Sequence, residues 1–215
     1  MDDGRTFTCS GSVSYNPVAR RTVKIDGDLG GWDLSGGIDI STGDYVKIKA
    51  PRNGDADLSG HAWLCWDAEN LYFAARIRDD IFCQEHTGFS VWKGDSIQIG
   101  ISASMPWVGG EGAFDTSEYD LSLTKKGPEF YRSGGPGPEG LVKDVHLVVK
   151  REGDITTYEC AIPWKELAPL DPSKGAFSFG IFVNDNDGQY RKGYLKWADI
   201  KSLNRMQPFQ IIGGR

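Results

Sequence analysis

The chain has 215 residues, and its 24 basic against 30 acidic side chains give a formal net charge of −6. Because Lys and Arg are scattered singly, the sequence lacks the basic stripe of a nucleic-acid-binding protein. No apolar run approaches the roughly 18 residues that cross a bilayer, and the N-terminus has no basic and apolar leader pattern. These features predict a soluble domain with no membrane insertion, whose signal peptide is not in this chain.

Short segments of alternating apolar and polar residues recur between clusters of Gly, Asn, Asp and Pro, as in strands joined by turns. Helical periodicity is scarce, and Pro163–Leu167 is the best short helical turn. We therefore predict one all-β domain over 1–215, a two-sheet antiparallel β-sandwich of immunoglobulin-like or jelly-roll-like type with minimal helix. Residues 1–21 would be an N-terminal extension or an edge strand, and Ser133–Gly140 a mobile loop. The predicted strands lie near 22–26, 44–50, 60–66, 70–78, 95–103, 117–124, 143–150, 155–162, 177–184, 191–197 and 208–212.

The run from Trp63 to Asp80 has the clearest pattern, with two alternating stretches around a short polar turn. It predicts a β-hairpin whose inward face points to the core. Trp63 would face outward and pack across the strands against Tyr72. The inward residues would be Ala62, Leu64, Trp66, Leu71, Phe73, Ala75 and Ile77.

Four cysteines, Cys9, Cys65, Cys83 and Cys160, are too widely spaced for a zinc-binding pair. Cys65 and Cys160 lie inside predicted strands, where a small buried thiol is the common interpretation. An even count also permits one or two disulfides in an exported protein, and both alternatives stay open.

Several motifs occur in the order found in one known family. They are Lys24-Ile25-Asp26-Gly27 followed by Trp32; Trp66 to Phe73; Trp92-Lys93-Gly94-Asp95-Ser96-Ile97-Gln98-Ile99; Glu159 to Trp164 with Glu166-Leu167; and Phe179 to Asp187 followed by Gly193 and Trp197. Over nearly the whole chain after residue 22, the sequence resembles carbohydrate-binding module family 9. The resemblance implies a secreted or cell-surface β-sandwich that binds poly- or oligosaccharide without catalysis. It would be linked covalently to catalytic or other modules of a longer parent chain, and it often holds calcium.

The resemblance also implies a sugar site in which two tryptophans enclose a terminal ring. Trp92, before Gly-Asp-Ser, corresponds to the first tryptophan, and Gln98 to a residue that contacts sugar hydroxyls. Asp120 and Ser122 fall by rough alignment at further polar contacts. The second tryptophan is missing from Ala198–Pro208, where Asn204 stands near the expected place. A one-sided platform, or a clamp completed by Trp107 or Tyr131, would replace it.

Trp92 and Trp107 lie in loops, where an exposed ring favours a binding surface and a covered ring would only close the core. Trp32, Trp66, Trp164 and Trp197 are predicted to be core residues. The carboxylates of Asp79, Asp80 and Asp95, with the run Asn184–Asp187, supply the hard oxygen ligands that calcium prefers. They predict a structural calcium ion, although turn chemistry also explains Asn and Asp there.

Two other functions were weighed against sugar binding. Related sandwiches bind b-type haem, and Met105 or Met206 with His61, His86 or His146 would be the axial ligands. A structural spacer module is the third interpretation. Catalysis has little support, because the sequence has no Gly-x-Ser-x-Gly elbow, P-loop or His-Glu-x-x-His motif.

Overall fold

The computed structural model describes residues 13–108 and 115–213. Within these ranges the chain forms fourteen strands and seven short 3₁₀ segments. The strands are β1 (Asn16–Arg20), β2 (Ile38–Asp39), β3 (Asp44–Lys47), β4 (Leu58–Trp66), β5 (Asn70–Asp79), β6 (Ser96–Ser102), β7 (Thr116–Thr124), β8 (Gly127–Gly134), β9 (Gly140–Leu141), β10 (His146–Glu152), β11 (Ile155–Pro163), β12 (Ala176–Asn186), β13 (Arg191–Ala198) and β14 (Gln207–Ile212). The 3₁₀ segments are Leu29–Gly31, Ile40–Thr42, Gly88–Lys93, Pro106–Val108, Trp164–Leu167, Pro172–Lys174 and Leu203–Arg205.

The strands form one curled sheet that folds back on itself into two layers. One layer has the order β10-β11-β5-β4, and the other has the order β14-β12-β6-β7-β8-β9. β13 pairs with the second half of β12 and with β3, while β2 pairs with β4. The predicted all-β sandwich is thus confirmed.

The N-terminal strand connects the two layers. β1 pairs in parallel with β14 on one side and with β4 on the other, so the prediction of a purely antiparallel sandwich is wrong at this strand. It also lies between two strands rather than at an edge. Alternation within 16–20 cannot reveal this, because strand neighbours are set by packing over long sequence distances.

The core lies between the layers and follows the predicted alternation. The inward residues of the β4–β5 hairpin are buried there, with Leu64 partly buried, and Phe73 meets Phe179 with ring centroids 6.2 Å apart. Each such buried side chain contributes about 1.5–3 kcal/mol by leaving water. Trp66 and Trp164 are buried as predicted, whereas Trp197 is only partly buried against the core.

A third layer covers part of the outer face of β4 and β5. Val23, Ile25, Leu29 and Trp32 pack there in a second apolar cluster that includes Trp63 and Tyr72. The stretch 22–26 is therefore an irregular covering segment and not the predicted strand. Trp63 faces away from the main core as predicted, yet it is buried because this segment covers it.

The structure also differs from the prediction at β8 and at the loop 133–140. β8 was missed, because Pro128 and Gly134 interrupt its sequence pattern, and the predicted loop Ser133–Gly140 contains its last residues.

Cys65, Cys83 and Cys160 are free, and Cys65 and Cys160 are buried as predicted, while Cys9 lies outside the described residues. Among the residues described, no helix is long and apolar enough to cross a membrane.

Candidate functional site

The outer face of the second layer carries a band of polar and aromatic side chains. Ile97, Ile99 and Ile101 of β6 point into the core, so Gln98 points to the outer face. Gln98 pairs with Asp120 on β7 and with Phe182 on β12, and Asp120 pairs in turn with Tyr131 on β8. The row of Phe182, Gln98, Asp120 and Tyr131 crosses four strands. Because adjacent strands are about 4.8 Å apart, the row is about 14 Å wide. We call this surface the Gln98 face.

Trp92 stands at one end of this face, on the 3₁₀ segment Gly88–Lys93, and is half-buried. A buried amide fixes the segment, because Gln84 Nε2 donates to Val91 O at 2.9 Å and to Asp95 O at 3.1 Å. Asn186 Nδ2 donates to Lys93 O at 2.7 Å. The main chain is therefore held on both sides of Trp92, and the ring is preorganised rather than carried by a free loop.

Sequence reasoning missed the residues that accompany this ring. The Arg191 guanidinium lies 5.4 Å from the Trp92 centroid and 4.2 Å from that of Tyr194, so it is in cation–π range of both rings. Its Nη2 donates to Asn184 Oδ1, while its buried Nε has no hydrogen-bond partner. Burial lowers the pKa of Arg191. Trp92, Arg191 and Tyr194 together form a mixed aromatic and cationic edge.

Asp120 is fully buried at the floor of the Gln98 face. Its Oδ1 accepts a hydrogen bond from Gln98 Nε2 at 2.7 Å, whereas Oδ2 makes no hydrogen bond of normal geometry with any described residue, although the Ser133 hydroxyl is close enough to lower the pKa of the carboxyl. Burial raises the pKa of Asp120 to about 6, against a hydrogen bond from Gln98 that lowers it. A buried oxygen without a partner is costly, and such groups are often completed by a ligand or water.

Of the other predicted sugar contacts, Ser122 is buried beneath the Trp92 segment, where its Oγ accepts from Gln84 Nε2 at 2.8 Å. It therefore positions that segment. Tyr131 lies on the face, and its ring centroid is 6.5 Å from that of Phe89. Phe89 is 56% exposed and stands three residues before Trp92. Its place in the same loop was the signal that could have identified it.

Trp107 and Asn204 lie at the opposite end of β6 from Trp92. They belong to two 3₁₀ segments, Pro106–Val108 and Leu203–Arg205, which contact each other. The seven residues of β6 span about 20 Å. Trp107, 51% exposed, thus cannot enclose the same sugar ring as Trp92. Between them Ile200 crosses the face, so close to Gly100 that a Cβ there would lie 2.8 Å from it.

The predicted calcium ligands Asp79 and Asp95 lie close enough to repel each other, but main-chain N–H groups already engage both. Asp95 is buried and accepts hydrogen bonds from the backbone N–H groups of Cys83 and Asn186, and Asp79 accepts one from Ile81. Burial raises the pKa of both carboxyls, that of Asp79 to about 6. These two acids fix loops, and only Asp80 belongs to a candidate metal-binding group.

That group is Asp57, Asp80 and Asp187, whose ligand oxygens lie within 4.8 Å of one another. Lys192 Nζ already lies 2.5 Å from Asp57 Oδ1 and 2.9 Å from Asp187 Oδ2. Although burial opposes its charge, these hydrogen bonds raise the pKa of Lys192. Nearby, Asp185 Oδ1 is buried without a partner. Hard oxygen donors and an excess of carboxylates fit calcium, with Lys192 supplying part of the charge.

Fold and face together define a β-sandwich of the glycan-binding class, with preorganised aromatic and polar groups on one outer surface. The chain matches the family model for carbohydrate family 9 binding domain-like proteins over residues 40–210. It belongs to that family and is a carbohydrate-binding module.

Solved structures and a curated relative agree with this assignment. Two structures of a family 9 module from Caldicellulosiruptor kristjanssonii, one in complex with cellotriose and one with glucose, are each 15% identical with a TM-score of 0.68. Each alignment covers 94% of this chain, and it covers 95% and 97% of the two modules. Endo-1,4-beta-xylanase A of Thermotoga neapolitana is 24% identical over an alignment 213 residues long, which covers 93% of this chain and 19% of the xylanase.

The haem and spacer alternatives gain no support from these matches. Met206 is buried at the end of the Leu203–Arg205 segment, whereas His61 is exposed on β4 of the other layer. His86 lies in the Trp92 loop, where its backbone N–H donates to Gln84 Oε1 at 2.9 Å.

Proposed function

We propose that the Gln98 face binds a neutral hexose ring of a β-linked polysaccharide, with Trp92 as the stacking surface. One observation carries the proposal: a buried polar frame holds the partly exposed Trp92 ring beside the Arg191 guanidinium on the same face as Gln98. The apolar C–H face of a sugar packs on such a ring, while amide, carboxylate and guanidinium groups bind the hydroxyls. The ligands named for the Caldicellulosiruptor modules, glucose and cellotriose, supply the sugar class.

The proposal extends to the other predicted contacts. Tyr131 and Phe89 would border the ring on the side of β8, opposite Arg191. Trp107 and Asn204 would contact only a chain long enough to run about 20 Å along β6. The affinity for glucose alone would then depend on Trp92 and not on Trp107.

Isothermal titration with glucose and cellotriose tests this. Trp92→Ala should weaken both by at least about tenfold, because binding energy concentrates in a few aromatic residues. Trp107→Ala is the matched control, an equal truncation of an exposed ring, and should leave glucose affinity unchanged. Equal glucose affinity in the wild-type and Trp92→Ala proteins would contradict the site.

We also propose that the module is non-catalytic and acts outside the cell, attached to a catalytic chain. Glycosidases need a pair of carboxylates free to act on the bond between two sugars. On the Gln98 face, Asp120 is bonded to Gln98, Glu118 is paired with Lys201, and Glu129 accepts from the Gly88 N–H at 2.7 Å. These structural roles favour binding without hydrolysis, so incubation with cellulose or xylan should release no reducing sugar.

A structural calcium ion is proposed at Asp57, Asp80 and Asp187. Calcium at 100 times its dissociation constant would add about 2.7 kcal/mol of stability, so the melting temperature should rise by several degrees over that in chelator. Asp80→Asn should remove the rise, whereas Asp44→Asn, at an exposed site in another strand, should keep it. The same melting temperature in calcium and in chelator would refute the metal site. Lys192 would then be the cation of the cluster.

A further inference from the structure

A groove of about 690 Å³ lies on the outer face of the first layer, opposite the Gln98 face. Its floor includes Arg76, Thr157 and Lys150, which are successive cross-strand partners on the three adjacent strands β5, β11 and β10. Arg76 and Lys150 are thus about 10 Å apart, with the Thr157 hydroxyl between them. We call this surface the Arg76 groove.

Hydrogen bonds to one buried side chain hold the wall of the groove in place. Glu159, fully buried two residues after Thr157, accepts hydrogen bonds from the backbone N–H groups of Asp26 and Gly27 and from Trp32 Nε1 at 2.7 Å. The stem of Lys150 packs on Gly27, where an added Cβ would lie 2.5 Å from its Cδ. One buried carboxylate therefore fixes the wall, and the wall places the Lys150 ammonium beside the groove.

Two cations of the groove form no ion pair, although Asp26 lies close enough to Lys150 for the two charges to attract each other. Within 13–108 and 115–213, neither Arg76 nor Lys150 has a carboxylate within 4 Å, whereas Arg78 is paired with Asp154 at 3.1 Å. Of the acids that line the groove, Asp28 accepts from the Gly30 N–H at 3.0 Å, and Glu152 is the cross-strand partner of Ile155, two strands away from Arg78. An anion between Arg76 and Lys150 would meet a guanidinium, an ammonium and a hydroxyl donor.

We propose that the Arg76 groove binds a uronic-acid residue of an acidic polysaccharide, with the sugar carboxylate between Arg76 and Lys150. The volume of about 690 Å³ can hold a pyranose ring, and the partly exposed Ile155 offers apolar contact to the ring face. The inference rests on the proposed function, that the domain docks on polysaccharide. It adds a second, charge-selective site on the opposite layer.

The probe is trigalacturonate, with its methyl ester as an uncharged ligand of the same backbone and inorganic phosphate as a simple anion. Titration at low salt should give binding to trigalacturonate at least about tenfold tighter than to the ester, weakening as salt screens the charges. Amide shifts in a nitrogen-15 spectrum should cluster at Arg76, Thr157 and Lys150. Equal binding of the ester, or phosphate binding as tight as that of trigalacturonate, would overturn the proposal.

Variants separate this site from the Gln98 face. Arg76→Gln with Lys150→Gln should abolish trigalacturonate binding and leave glucose affinity unchanged, while Trp92→Ala should do the reverse. Lys126→Gln with Lys174→Gln removes the same charge from exposed positions elsewhere and should alter neither. Undiminished trigalacturonate binding by the first pair would refute the groove, whatever happens to glucose.

Discussion

At the scale of single residues, buried polar groups decide where the functional side chains stand. Gln84 and Asp95 hold the segment that carries Trp92, and Glu159 holds the wall that carries Lys150. None of these three touches the proposed ligands. Each satisfies several main-chain or indole hydrogen-bonding groups at once, and leaving such groups unpaired in the interior is costly.

Glu159 gives the sharpest residue-scale prediction. Glu159→Gln puts an amide where three N–H groups converge, so at least one hydrogen bond is lost and donors oppose donors. We expect the free energy of unfolding to fall by about 2–4 kcal/mol, measured by urea denaturation. Glu152→Gln, an exposed site on the adjacent strand, should change it by less than about 0.5 kcal/mol. Equal midpoints for the two variants would contradict the role of Glu159.

At the scale of elements, strand alternation and loop anchoring determine different features of the surface. Alternation along each strand determines the face on which a residue lies, so three isoleucines of β6 point into the core and Gln98 points outward. The segments 22–32, 83–95 and 199–206 then cover parts of the outer faces. What they leave uncovered becomes the Gln98 face on one layer and the Arg76 groove on the other.

At the scale of the whole molecule, buried carboxyls link stability to pH. Burial raises the pKa of Asp120 to about 6, above the 3.8 of an unperturbed aspartate. Between these values the folded protein binds more protons than the unfolded chain, so this contribution to stability is complete below about pH 3.8 and is lost as the pH rises through 6. The net charge of −6 acts in the same direction, because protonation reduces self-repulsion.

The melting temperature should therefore fall between about pH 4 and about pH 7, with Asp120 contributing at most about 3 kcal/mol. Asp120→Asn should flatten this dependence, because the amide does not titrate. Asp171→Asn, at an exposed 3₁₀ cap, should retain the wild-type slope. A slope unchanged by Asp120→Asn would show that other groups carry the pH dependence. Scanning calorimetry across this pH range measures all three.

The sequence by itself determined the strand faces, the hairpin Trp63–Asp80, the family and the choice of Trp92, Gln98 and Asp120 as candidate residues. These follow from local periodicity and from motifs, which need only neighbouring residues. The tertiary structure alone decided that β1 bridges the layers, that Arg191 lies between Trp92 and Tyr194, and that Asp57 and Lys192 join Asp80. It also formed the Arg76 groove from three strands and residues 27–29. The physical reason is that cross-strand register and loop anchoring depend on contacts between residues tens to more than a hundred positions apart, which no local pattern encodes.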